Sequence, residues 1–340
     1  MAKDLSGLET PKTCQMQVVD LIDCHLAQKT ARKLVKSLGF REAEGEEIVI
    51  ATSELASNLI RHAGSGSLTF KPLQIDGQAG LEIESQDQGP GIIDVDQSMT
   101  DGYSTAGGLG LGLGTVNRLM DELEINSTPE RGTRIACRRW VRPPIKERTF
   151  KWDVGAATYS RRFAPCNGDA FVIKEWGSSL LVGLIDGLGH GQAAQEAALT
   201  AQRYVLAHYD RPLDMIFAGT ARACRSTRGV VMALARFESP TFLKFASIGN
   251  VEVRALCGEK KTNFLAQRGI LGADQLKATV HEFQWDPNWL LILHSDGLRG
   301  PWQWEDFAGL DRDPAQAIAQ RFLRKLATHD DDATIVAVRS

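Results

Sequence analysis

Asp87-Gln-Gly-Pro-Gly91, followed by Gly107-Gly-Leu-Gly-Leu-Gly-Leu-Gly114, decides how the first third of this chain folds. Gly89 and Gly91 let the backbone pass close to a flat ligand such as a base. The glycine run, with Gly108, Gly110, Gly112 and Gly114, leads into a stretch that reads as a helix over about 111–121, so its amides and the helix N-terminus can face phosphates. Asp87 ends a predicted strand, where it is free to accept from an exocyclic amine. Upstream, Glu54 and Asn58 lie four apart on a predicted helix and share one face, flanked by Leu55 and Leu59. A polar pair in that setting is costly unless it meets a ligand or partner. Asparagine can lend its carbonyl oxygen to magnesium, and a carboxylate one turn away can orient or deprotonate an attacking hydroxyl. Taken singly, the glycine loop reads equally well as a flexible turn, and the Glu/Asn pair as a solvated face.

Residues 13–20 alternate as a strand does, and 24–38 repeat apolar groups at helical spacing, with Gly39 placed to cap that helix. A second helix over about 42–63 ends at Gly64-Ser-Gly66. Strands near 67–75 and 80–87 follow, and a hairpin over 122–128 and 132–140 turns at Pro129-Glu-Arg-Gly132. A mixed sheet with helices on one face fits this order. Arg142-Pro-Pro-Ile-Lys-Glu-Arg148 reads as a linker, which divides the chain into domains 1–142 and 150–340 with 143–149 between them.

The second half carries a different series: Gly168-Asp-Ala-Phe171, Asp186-Gly-Leu-Gly-His-Gly191, Ser295-Asp-Gly297 and Asp330-Asp-Asp-Ala-Thr334. Strands are predicted at 151–159, 169–176, 179–186 and 333–339, with others between 229 and 295. Helices are predicted at 191–208, 212–225 and 313–328. Asp169, Asp186, Asp296 and Asp331 then all fall at strand ends, the first three beside glycines, which are poor places for stability and good ones for holding two divalent cations. The carbonyl of Gly187 is a further donor, one that a bulkier residue would obstruct. A single Asp-Gly is an ordinary turn; four carboxylates in this order are not.

The order E-x-x-x-N, D-x-G-x-G, G-x-G-x-G and Gly132-Thr133 resembles the ATP-binding (GHKL) fold shared by gyrase and the histidine kinases. Within it, Ser53-Glu-Leu-Ala-Ser-Asn58 and the segment 108–121 are similar to the anti-sigma-factor serine/threonine kinases of the RsbT type. That resemblance implies magnesium on Asn58, a candidate base in Glu54, adenine on Asp87 and support for it from Thr133. The second series resembles the metal-dependent PPM protein phosphatases in the branch of SpoIIE, RsbU and RsbX. It implies metal on Asp169, Asp186, Gly187, Asp296 and Asp331, with Asp332 either a ligand or a structural neighbour. The fold expected is α/β: a Bergerat-type ATP-binding sandwich followed by a PPM-type α/β/β/α sandwich. The function expected is a bifunctional regulator of a bacterial partner-switching pathway, a kinase and phosphatase acting on STAS-domain proteins. ATP with Mg2+ would serve the first domain and two Mn2+ or Mg2+ the second. The alternative is a phosphatase whose kinase-like domain only docks nucleotide, regulates, or binds a sigma factor.

Bulk properties agree with that class. At 340 residues, with 43% hydrophobic and 24% charged, the chain reads as two folded domains. A formal charge of −3 gives no reason to expect nucleic acid. The six cysteines form no C-x-x-C pair and read as free thiols in a cytoplasm. No apolar stretch predicts a membrane span or a signal peptide.

Overall fold

The computed structural model describes residues 12–75, 77–92, 95, 112–128, 131–142, 150–162, 164, 166–257, 260–273, 277–300, 302–303, 307, 313–328 and 330–339. Gly108, Gly110 and the predicted linker 143–149 lie outside that set. The chain forms two compact units, Met1–Pro143 and Pro144–Ser340.

In the first unit, helix α1 (Leu21–Leu38) begins at Asp20, whose carboxylate accepts from the amides of Ile22 and Asp23 while Asp23 returns the bond. It stops at Gly39, which takes φ 82° as a left-handed cap. Helix α2 (Glu42–Asn58) buries Ile48, Val49, Ala51 and Leu55, four positions on one side of the cylinder. The predicted single helix over 42–63 divides here. After Asn58 the chain widens into one π-helical turn, Leu59–Ala63, and ends at Gly64. Such turns occur where a helix must re-aim side chains, and this one starts directly after the predicted magnesium ligand.

Strands β1 (Cys14–Val18), β2 (Gly66–Ile75), β3 (Gln78–Asp87), β4 (Glu122–Thr128) and β5 (Gly132–Trp140) form one sheet in the order β1-β2-β3-β5-β4. Every pairing is antiparallel, which corrects the expected mixed sheet. Helix α3 (Gly112–Leu119) carries the chain across from β3, but the tight β4–β5 hairpin then folds β5 back between them. No two parallel strands are left as neighbours among the described residues. One face of the sheet, with Leu68, Phe70, Leu81, Ile83, Ile135 and Cys137, packs on the three helices. The other carries a lattice of ion pairs running from Lys71 through Glu82 and Glu84 to Arg134 and Arg138.

The second unit has the four layers expected of it. One sheet runs β13 (His281–Gln284), β10 (Phe242–Ile248), β9 (Val230–Ser239), β8 (Ser179–Gly187), β7 (Asp169–Trp176). The other runs β12 (Lys260–Asn263), β11 (Glu252–Cys257), β14 (Leu290–His294), β15 (Ala333–Arg339), β6 (Asp153–Tyr159). Strand β8 shows how they stack. Leu180, Val182 and Leu184 point between the sheets, while Leu181 and Ile185 face helices α4 (Gln192–Ala207) and α5 (Leu213–Ala223). Helix α6 (Ala315–Leu326) covers the second sheet through Ile318, Ala319 and Phe322. Strands β7, β8, β14 and β15 bring the predicted carboxylates to strand ends, and β6 pairs with β15.

Candidate functional site

The first unit gathers its predicted residues around the end of α2. Glu54 and Asn58 are half-buried one turn apart. Gly112, the first residue of α3, sits directly over them. A Cβ built on Gly112 would lie 3.2 Å from Asn58 Oδ1 and 3.3 Å from Glu54 Oε2. The glycine therefore lets the start of α3, where amides lack helical partners, close on the polar pair. Gly114 is buried in the next half-turn.

Asp87, at the end of β3, is held by backbone rather than by charge. Its Oδ1 accepts from the amides of Gly89 at 2.8 Å and Thr133 at 3.1 Å. Thr133 is fixed in turn by Ser127, whose hydroxyl lies 2.8 Å from the threonine hydroxyl and accepts from Ile92 at 2.7 Å. Gly132 (φ 75°) has no room for a side chain, since a Cβ there would lie 2.2 Å from the Asp87 carbonyl oxygen. Among the described residues Oδ2 of Asp87 has no hydrogen-bond partner. Gly89 is excluded from growing by Ala63 on the π-helical turn, 2.8 Å from its notional Cβ, and Gly91 takes φ 74°.

In the second unit, Asp169 and Asp186 face each other as register partners on β7 and β8. Burial pushes the Asp186 carboxyl up to about 8, with Asp169, Asp296, Asp331 and Asp332 adding repulsion. Burial likewise pushes Asp169 up to about 7, against the hydrogen bonds of Ser295 and Thr334. Asp296 is raised too, first by burial and then by Asp331. All five carboxylates are thus within electrostatic reach of one another. Three supports hold them there. Ser295 Oγ donates to Asp169 Oδ2 at 2.7 Å and accepts from the Thr334 amide. Asn250 Nδ2 donates to Asp296 Oδ2 at 2.8 Å. Asp332, buried, accepts from the amides of Arg161 at 2.8 Å and Gly168 at 2.7 Å. Asp332 is therefore a clamp on the loop before Asp169.

Gly187 has a packing reason besides the one expected. A Cβ there would lie 2.1 Å from the Ala194 carbonyl oxygen, so the backbone of helix α4 enforces the glycine. Ser295 and Asn250 were missed by sequence reasoning. Ser295 carried a signal in standing directly before Asp296, whereas Asn250 is forty-six residues away from its partner and carried none.

Among the described residues, no three His, Cys, Asp or Glu side chains stand close enough to form a ready cage for a cation. The donors still fit divalent ions in their chemistry: all are hard oxygens, and their mutual repulsion is relieved only by added positive charge or protons.

Residues 19–138 match the family model of the histidine kinase-like ATPase domain, and residues 177–340 match that of stage II sporulation protein E (SpoIIE). Over 120 residues the chain is 43% identical to the serine/threonine-protein kinase RsbT of Bacillus subtilis (strain 168), covering 35% of this chain and 90% of RsbT. It is 27% identical over 138 residues to the phosphoserine phosphatase RsbX of the same organism, covering 39% of this chain and 68% of RsbX. A solved structure of RsbX in complex with magnesium has the same fold, with a TM-score of 0.51 at 20% identity over 58% of this chain and 98% of that one. A protein solved in work on the bacterial stressosome, described as a modular system adapted to control secondary messenger signalling, gives a TM-score of 0.53 at 28% identity. That match covers 56% of this chain and all of the other, 100%. The chain thus carries an ATPase-type kinase domain and a PPM-type phosphatase domain. The chain belongs to the RsbT-like branch of the histidine kinase-like ATPase family, fused to a SpoIIE-type PPM phosphatase domain.

Proposed function

We propose that the chain is a bifunctional regulator of a partner-switching pathway, adding phosphate to and removing it from a serine or threonine of a STAS-domain protein. The observation that supports this reading is that one chain carries both candidate sets of residues. Glu54 stands beside Asn58 under Gly112 in one unit, and four strand-end carboxylates converge in the other.

In the kinase half, Asp87 Oδ2 accepts from the adenine amine while Thr133 and Gly89 hold the carboxylate still. Asn58 offers its oxygen to magnesium, and Glu54 takes the proton of the substrate hydroxyl. Gly112 and Gly114 turn amides toward the phosphates, with Gly108 and Gly110 assigned the same role.

In the phosphatase half, Asp169, Asp186, Asp296, Asp331 and the Gly187 carbonyl would hold two Mn2+ or Mg2+, which when bound supply hydroxide at neutral pH. Ser295 and Asn250 orient two of these carboxylates, and Asp332 fixes the approach to Asp169. Among the described residues no helix is long and apolar enough to cross a membrane, in keeping with the cytoplasmic setting proposed here.

The test is to incubate the full chain with ATP, Mg2+ or Mn2+ and a purified STAS-domain protein. The phosphorylated form is followed by mass spectrometry, first with ATP and then after ATP is removed. Phosphate should appear and then disappear. Loss of phosphate without prior gain would leave the kinase-like unit as a docking module, and neither event would overturn the proposal.

A further inference from the structure

We propose that Arg228 is the residue that grips the substrate's phosphoryl group in the second unit. The inference rests on the phosphatase reading above and names a residue that neither the sequence pattern nor the carboxylate cluster contains.

The argument begins with charge. Two divalent ions bring four positive charges, which four aspartates cancel. A phosphoserine or phosphothreonine then arrives with about −1.5 to −2 of its own at neutral pH. A site built only from those parts has nothing left to attract it. A guanidinium beside the carboxylates supplies the missing charge, and its fork of donors matches two phosphoryl oxygens.

Arg228 stands where that fork is needed. Strands β8 and β9 run in register to Asp186↔Val231 and Gly187↔Val230, and the amide of Leu188 then bonds to the Gly229 carbonyl at 3.1 Å. Arg228 is thereby set opposite the loop that follows Asp186. Gly189 of that loop takes φ 84°, and a Cβ built on it would lie 3.0 Å from Arg228 Nη1. The second glycine of Asp186-Gly-Leu-Gly-His therefore makes room for this guanidinium.

The backbone under Arg228 is fixed on both sides. Thr227 donates to the Cys224 carbonyl from its hydroxyl at 2.7 Å and from its amide at 2.9 Å, and its hydroxyl accepts from the Gly229 amide at 3.1 Å. Gly229, at φ 85°, is hemmed in by Leu271, whose carbonyl oxygen lies 2.8 Å from its notional Cβ. The head group, in contrast, is exposed and makes no hydrogen bond or ion pair among the described residues. A rigid stem with an unengaged cationic head, set against the loop that follows Asp186, is arranged for an anion that comes and goes.

The experiment uses the full chain with Mn2+, comparing wild type with Arg228→Ala, Arg228→Lys and Arg161→Ala. Turnover of p-nitrophenyl phosphate and calorimetric binding of inorganic phosphate are both measured. Arg228→Ala should raise KM and weaken phosphate binding by about tenfold or more, with kcat changed far less and the Mn2+ half-saturation unmoved. Arg228→Lys should recover part of the loss, as a point charge without the fork does. Unchanged KM and phosphate binding in Arg228→Ala would overturn the proposal, as would losses confined to Arg161→Ala. If wild type turns over no substrate, the phosphatase reading fails. Phosphate binding by wild type against Arg228→Ala then still decides the role of Arg228.

Discussion

Asp87 and Asp186 each stand at the end of a strand with a glycine one or two residues on, yet their surroundings differ in kind. Asp87 has one oxygen satisfied by two backbone amides, and its neighbours Thr133 and Ser127 are neutral. Asp186 is surrounded by Asp169, Asp296, Asp331 and Asp332, which with burial push it up to about 8. The first arrangement is stable by itself. The second is under electrostatic stress that only protons or cations relieve. Adenine recognition and cation recognition, as proposed for them, would thus leave opposite marks on two strand-end aspartates.

The sharpest way to break this comparison is Asp186→Asn. Phosphatase turnover should fall by about a hundredfold or more, because the amide has neither the charge nor the second acceptor to bridge two ions. ATP binding should be untouched, and a matching loss there by calorimetry would mean the sites are not separate.

The next largest effect is one of pH. In the fold, Asp169 and Asp186 hold their protons up to about 7 and about 8, against about 3.9 when unfolded. Between those values the folded state binds more protons than the unfolded one. Stability of the metal-free second unit is therefore fully present below about pH 4 and is lost as pH rises toward 8. Added Mn2+ should raise its melting temperature more at pH 8 than at pH 5. A metal-free melting temperature that climbs over this interval would contradict the stress inferred here.

A smaller change sharpens the first site. Asp87→Asn keeps an acceptor for Gly89 and Thr133 but places an NH2 where the adenine amine would donate. ATP affinity should drop by about tenfold, roughly 1.4 kcal/mol, with phosphatase turnover unaffected. Equal affinity in titration calorimetry would remove Asp87 from the nucleotide site.

The smallest effect tests the clamp. Asp332→Asn leaves one of two donating amides, Arg161 or Gly168, facing an NH2, at a cost of about 1 kcal/mol. The melting transition of the second unit should fall by a few degrees, and the Mn2+ concentration needed for half activity should rise. An unaltered transition would make Asp332 dispensable as a clamp.

Much of this was legible in the residues. The caps at Gly39 and Gly64, the strand ends at Asp169 and Asp186, and the helix after Gly191 follow from local pattern, since caps, alternation and helical spacing are properties of neighbours in the chain. The antiparallel sheet of the first unit was not legible, because a strand's position in a sheet depends on which edge it reaches. The π-helical turn after Asn58 was hidden too, since Leu59–Ala63 has a composition any α-helix accepts.

By itself the sequence determined which residue types stand at which turns: the glycines, the strand-end aspartates, the Glu54–Asn58 pair. Those are short-range facts written in spacing. Only the tertiary structure decided what each residue meets. It set Gly112 over Glu54 and Asn58, turned Asn250 to Asp296, gave Asp332 two amides and brought Arg228 to the loop of Gly189. The physical reason is that burial, repulsion and hydrogen-bond geometry act across a few ångströms of space, while the partners they join lie tens or hundreds of residues apart along the chain.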